Sequence, residues 1–172
     1  TALAGTIISK NVISNINYTN VTAAATLHVG IQLKGGGSGS VTKNFITQLS
    51  NASTDATAKI IGIEIYSGAW NLYNNVVLLN NNASANAIGV YGIEAQEAVL
   101  TNTIYHNTVK IGGSIASGSA ASYAFYRGGA GTDNVKNNIF QNLRAGGTGG
   151  HYAEFANAGG TYVTNNNYLE VS

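Results

Sequence analysis

Short apolar runs broken by Gly, Asn and Ser recur along the chain, and no window carries the sustained i, i+3, i+4 apolar spacing of an amphipathic helix. The clearest run, Ile63-Glu64-Ile65, alternates apolar and polar with the period of two that sends neighbouring side chains to opposite faces of a strand. The pattern predicts an all-β chain of short strands joined by tight turns.

The runs repeat. One segment reads Lys10-Asn11-Val12-Ile13, Lys43-Asn44-Phe45-Ile46, Asn74-Asn75-Val76-Val77, His106-Asn107-Thr108-Val109, Asn137-Asn138-Ile139-Phe140 and Asn166-Asn167-Tyr168-Leu169. Its central asparagines, Asn11, Asn44, Asn75, Asn107, Asn138 and Asn167, are 33, 31, 32, 31 and 29 residues apart. A second segment reads Gly30-Ile31-Gln32-Leu33, Gly62-Ile63-Glu64-Ile65, Gly92-Ile93-Glu94-Ala95, Tyr123-Ala124-Phe125-Tyr126 and Tyr152-Ala153-Glu154-Phe155, in steps of 32, 30, 31 and 29. Both keep a beat of about 31 residues, which is the signature of a solenoid whose strands pair with their equivalents one turn above and below. The expected fold is a parallel β-helix of five to six coils, one domain over residues 1–172.

Within that fold the recurrent asparagines acquire work. Asn tolerates left-handed backbone at a bend, and its amide can bond the identical amide in the next coil, so the six central residues are read as an internal ladder. The sequence contains no Pro, as strands paired on both edges require. Five to six coils at about 4.8 Å per strand make a rod roughly 25 Å long, and its two ends would expose unpaired strand edges. Neither end carries an amphipathic helix or a charged segment as a cap, so self-association or flanking coils are expected to cover them.

Composition narrows the function classes. Charged residues are 9% of the chain, with 22 Gly and 23 Asn, so the surface is solvated by amides and hydroxyls. A hydrophobic fraction of 44% with a formal charge of +1 argues for a packed structure over disorder. That balance supplies no electrostatic footprint for nucleic acid or anionic lipid. The absence of Cys removes disulfides, thiol catalysis and cysteine metal sites. No run of eighteen apolar residues occurs, and Thr1 to Gly5 do not read as the start of a leader, so neither membrane insertion nor a signal peptide is expected.

The runs Ile104-Tyr105-His106-Asn107-Thr108-Val109, Val135-Lys136-Asn137-Asn138-Ile139-Phe140 and Asn165-Asn166-Asn167-Tyr168 resemble the β-helix repeats of large secreted surface proteins of Bacteroidetes-type bacteria, over nearly the whole chain. The resemblance implies an extracellular or cell-surface location and a structural or adhesive role; the C-terminal sorting domain common in that family has no counterpart here. More broadly the repeats resemble the right-handed β-helix superfamily of pectate lyases, pectin hydrolases and phage tailspikes, which implies right-handed coils and a polysaccharide connection. The calcium-binding Asp clusters of pectate lyases are not matched, because Asp55 and Asp133 lie more than two coils apart.

Candidate chemistry is sparse. Aligning the second segment stacks Gln32, Glu64, Glu94, Phe125 and Glu154 in one outward column, with Ile31, Leu33, Ile63, Ile65, Ile93, Ala95, Ala124, Tyr126, Ala153 and Phe155 pointing inward. Glu64 and Glu94 then fall in adjacent coils about 5 Å apart at the backbone, the arrangement of the acid and nucleophile of a glycosidase. The bland alternative is two solvated surface carboxylates. Tyr66, Trp70 and Tyr73 cluster nearby and could stack on sugar rings, or cover the core beneath a loop. Glu97 could add a third carboxylate, but without a tight loop the set falls short of a calcium motif. His28, His106 and His151 sit in different coils and share no metal site. The Gly35-Gly36-Gly37-Ser38-Gly39 and Gly146-Gly147-Thr148-Gly149-Gly150 runs read as turns between strands, with no Lys-Ser/Thr or helix after them to cradle a phosphate. No cofactor or metal is expected. The reading is a non-catalytic extracellular adhesin or fibre module whose coils stack end to end, with polysaccharide binding or cleavage as the alternative.

Overall fold

The computed structural model describes residues 5–19, 23, 25–80, 88–157 and 159–172; residues 1–4, to which the signal-peptide expectation refers, lie outside that set. The described residues form an all-β solenoid of parallel sheets with no helix. The first sheet stacks Thr6–Ser9, Ser38–Thr42, Ala69–Tyr73, Thr101–Tyr105, Thr132–Lys136 and Thr161–Asn165. The second stacks Val12–Ile13, Phe45–Thr47, Val76–Asn80, Thr108–Gly112, Ile139–Asn142 and Tyr168–Val171. The third stacks Leu27–Leu33, Lys59–Ile65, Gly89–Ala95, Ser122–Arg127 and His151–Ala156. The chain visits them in that order, five full circuits and then the first two sheets once more. Two short parallel pairs, Ile16–Tyr18 with Leu49–Asn51 and Ser114–Ile115 with Ala145–Gly146, extend the corner between the second and third sheets.

The asparagine ladder stands at the corner between the first and second sheets. Each rung has one geometry: the side-chain oxygen of one Asn accepts from both the backbone N–H and Nδ2 of the Asn one coil earlier, at 2.9–3.1 Å, from Asn11 to Asn167. The other Nδ2 hydrogen returns to a carbonyl of the preceding coil, as from Asn75 to Val41 at 2.8 Å and from Asn107 to Leu72 at 3.0 Å. Asn44, Asn75, Asn107 and Asn138 are at most 1% exposed, and these bonds satisfy polar groups that water cannot reach.

One expectation is refined. The left-handed bend is not made by the ladder residue but by its predecessor: Lys10, Lys43, Asn74, His106, Asn137 and Asn166 adopt φ of 54–58°. The left-handed residue turns the corner with its own side chain outside, and the turn aims the next side chain inward. Gly35 and Gly36 turn as expected, at φ 91° and 64° with their N–H groups bonded to Ser67 Oγ at 3.0 and 3.2 Å, whereas Ser38 and Gly39 already belong to a first-sheet strand and Gly146 to the short pair with Ile115.

The lumen is filled by columns of identical or similar side chains. Ile46, Val77, Val109 and Phe140 form one, and Val41, Leu72, Ile104 and Val135 another, all fully buried. Toward the last coils the filling turns polar. Arg127 stands above Ala95 in a column that begins with Leu33 and Ile65, and its Nε donates to Asp133 at 2.8 Å, both side chains being 1% exposed. Asn102 Nδ2 donates to the other Asp133 oxygen at 2.9 Å. Burial pushes the Asp133 carboxyl above its ordinary range, opposed by those hydrogen bonds and the guanidinium. A buried pair of this kind is costly to break from one side.

Asn75→Asp replaces two donors with acceptors facing the Val41 carbonyl and the Asn107 side-chain oxygen, and should cost more than Asn75→Ala, itself about 3 kcal/mol from orphaned buried donors. Urea denaturation of the two variants checks both the loss and the order. Conversely, Lys43→Asn places a residue that tolerates left-handed backbone at φ 57°, and should raise the urea midpoint by an amount worth a few tenths of a kcal/mol up to about 1.

Candidate functional site

The outer face of the third sheet gathers most of the chemistry the sequence singled out. Strand register places Gln32, Glu64 and Glu94 in one column, as expected. Above Glu94 the expected column fails. Tyr126 pairs with Glu94 and Phe155 with Tyr126, whereas Phe125 stands above Ile93 and Glu154 above Phe125. Tyr126 and Phe155, expected inside, therefore lie outside, and Phe125 and Glu154, expected outside, belong to the inward column. The cause is local. Ala124 and Phe125 are consecutive and both lie in the core, so the strand breaks its period of two at this point. The same bend lies at Gly62 and Gly92, where a Cβ would strike Val77 or Val109 inside the lumen.

Glu154 accordingly points into the last coil, where it accepts from Tyr162 Oη at 2.5 Å and Asn167 Nδ2 at 3.2 Å. Burial first, then the bond to Glu154, raises the Tyr162 hydroxyl well above its ordinary value.

Glu64 and Glu94 are strand partners one coil apart, yet they are only 5% and 1% exposed and each is engaged elsewhere. Gln32 Nε2 donates to Glu64. Lys59 Nζ donates to Glu94 at 3.1 Å, and Gln96 Nε2 to the same oxygen at 2.6 Å. The Lys59 ammonium also lies 4.6 Å from the Tyr91 ring centroid.

The three aromatics of the sequence-based cluster separate. Tyr66 follows the Glu64 strand at the edge of this face, 53% exposed, with Lys34 Nζ 4.7 Å from its ring centroid. Trp70 is 5% exposed in the core, its Nε1 donating to the Ser67 carbonyl, and offers no ring to a ligand. Tyr73 is exposed on the first sheet, a different face from Glu64.

What sequence reasoning missed is an aromatic array on the same face as Glu94. Tyr91, Tyr123 and Tyr152 form one column and Tyr126 with Phe155 the next. Tyr123 stacks on Tyr152 at 5.3 Å between centroids and 8° between planes, and Tyr126 on Phe155 at 5.8 Å and 5°. Across the columns, Tyr123 and Tyr126 meet at 4.8 Å and 57°, Tyr152 and Phe155 at 4.9 Å and 51°. The signal was present: tyrosines 91, 123 and 152 recur at steps of 32 and 29, on the beat of the repeat. Gly89 and Gly150 leave room for the rings, since a Cβ at either would fall within 3 Å of the Tyr91 or Tyr152 ring. Burial first, then the Glu94 carboxylate, lifts the Tyr91 hydroxyl well above its ordinary value, so it stays a neutral donor.

Glu97 is not poised for a cation. Its carboxylate accepts from the backbone N–H of Gly68, Ala98, Val99 and Leu100, fastening the turn after this strand to the coil below. Burial opposes ionisation, but the four amides outweigh it and hold the carboxyl below its usual range. Among the described residues no three His, Asp or Glu side chains gather as a metal site. His151 bonds locally, through Ser122 Oγ at 2.8 Å and the Gly146 carbonyl at 3.0 Å. No helix among the described residues is long and apolar enough to cross a membrane. No family model matches the chain, and neither curated proteins nor solved structures gave a match.

Glu97 gives a pH prediction. A carboxyl lowered on folding contributes stability above its unfolded value, near pH 4, and loses it as pH falls through the folded value. Glu97→Gln should therefore unfold more easily at pH 7, by about 1–3 kcal/mol because its NH2 confronts the Gly68 N–H, and the gap to wild type should close on acidification below about pH 4. Urea titrations of both proteins from pH 7 to 3 measure it.

Proposed function

We propose that the chain is a non-catalytic structural module of an extracellular or cell-surface assembly, whose coils stack on further coils at both ends. The observation that carries this reading is the open core. Leu169 continues the column of Ile46, Val77, Val109 and Phe140, each fully buried, yet is 51% exposed. Val171 continues the column of Leu79, Ile111 and Asn142 and is 56% exposed. Interior side chains at that end lie uncovered, and a parallel strand is the surface that covers them while satisfying the edge.

The ladder makes the two ends complementary. Every rung runs one way, so the first coil presents the Asn11 side-chain oxygen as an acceptor and the last coil presents the Asn167 backbone N–H as a donor. A second copy, placed head to tail, brings its Asn11 over Asn167 and extends the ladder with the geometry of the inner rungs. Such a contact is heterologous and does not close, so copies propagate into filaments. Coils from elsewhere in one polypeptide would satisfy the same edges. The engagement of both Glu64 and Glu94 by neighbouring side chains supports a non-catalytic role.

Negative-stain electron microscopy with light scattering on the 172-residue chain tests the reading. Stacking between copies predicts filaments or concentration-dependent growth that Leu169→Lys, a charge on the open core, abolishes while circular dichroism stays unchanged. Monomers at all concentrations would reject stacking between copies. Growth that ignores Leu169→Lys would reject the ends as its site.

A further inference from the structure

We propose that the aromatic face of the third sheet is a binding platform for an uncharged glycan. Tyr152 and Phe155 stand on the last strand of this sheet, but the rings project laterally and binding is read separately from stacking, so either proposal can fail without the other.

The rings are arranged to be used. Parallel rings in full face-to-face contact would lie about 3.5–4 Å apart, so centroids at 5.3 Å with planes 8° apart make an offset stack. Each ring of the Tyr123–Tyr152 pair is overlapped like a roof tile, with part of its face left outward, and Tyr152 is 38% exposed. Rings held by neighbours and by the sheet beneath lose little freedom on binding, which is what makes tyrosine an efficient contact surface. The columns run along the solenoid axis, so an extended polymer lying on them meets a ring at each coil.

The occupant follows from what surrounds the rings. A hydroxyl tips four of the five, and amides stand at the margin: Gln96 at the Glu94 carboxylate, and Asn157, whose Nδ2 lies 3.5 Å from Tyr126 Oη. Apolar ring faces fringed by hydroxyls and amides match a sugar ring, with its C–H face and equatorial hydroxyls. Charge excludes the main competitor for stacking. Nucleic acid needs cations along its backbone, whereas the ammonium of Lys59 is held by Glu94, and Lys34 at the edge is balanced by Glu64, so the face carries no net positive charge. The same balance gives acidic polysaccharides no electrostatic attraction.

The test uses an array of neutral and acidic oligosaccharides of four to six sugars, followed by calorimetric titration of the best neutral one. Binding should be confined to neutral members. Tyr123→Ala and Tyr152→Ala should each weaken it about ten-fold, a loss in the range of one stacked ring. Tyr73→Ala, exposed on the first sheet, should leave it within about two-fold. Tyr152→Phe, which keeps the ring and loses the hydroxyl, separates stacking from misfolding: it should retain most of the affinity that Tyr152→Ala loses. No binding to any neutral glycan, binding only to acidic ones, or binding indifferent to Tyr152→Ala would overturn the proposal. So would loss of self-association in Tyr152→Ala with no glycan bound, since the face would then be a contact between copies.

Discussion

A ladder asparagine satisfies, with one side chain, the coil before it and the coil after it, and this is the constraint on which the rest of the solenoid depends. Its oxygen accepts twice from below, and its amide donates once up and once down. No other neutral side chain offers an acceptor and two donors with that reach. Because each rung bonds to an identical rung, a slip of one residue at this corner would leave several buried polar groups unpaired at once. Register is therefore set here and inherited by the sheets on either side.

Fixed register turns sequence into columns, and columns explain both the lumen and the surface. Inside, like stacks on like, so a coil accepts a new side chain only if its neighbours make room or supply partners. The exchange of Ala95 for Arg127 shows the second route: the guanidinium is tolerated because Asp133 and the Gly131 carbonyl receive it. Outside, the same stacking builds ring arrays, since each tyrosine is held one strand spacing from the next.

How far the sequence could be read follows from the same physics. The period, the parallel stacking and the six ladder residues were legible because identical side chains must recur at identical places for the ladder to form. The third sheet was legible only through its first three coils. Gly30, Gly62 and Gly92 mark a bend where two consecutive residues face inward; in the next coil Ala124 fills that place, and setting Tyr123 there on a step of 31 placed the strand one residue out of register. A one-residue slip exchanges the two faces of a strand, so it hid the aromatic columns and placed Glu154 outside. Trp70 was illegible for another reason: its strand has one face in the lumen, and only register with Gly39 below and the core around it shows which.

The ends and the aromatic face ask different things of the same architecture. An end exposes backbone edges and core side chains that, on the proposed stacking, further coils cover. The aromatic face is a completed surface, its strands paired on both sides except at the last coil, and it needs no partner for stability. Were the module stacked as proposed, it would still carry a lateral binding surface, because stacking uses strand edges along the axis while the rings project away from it. A copy added head to tail would set Val29 and Gln32 beside Tyr152 and Phe155, so the platform would repeat from copy to copy rather than be buried, and on the two proposals together assembly would strengthen lateral binding through avidity.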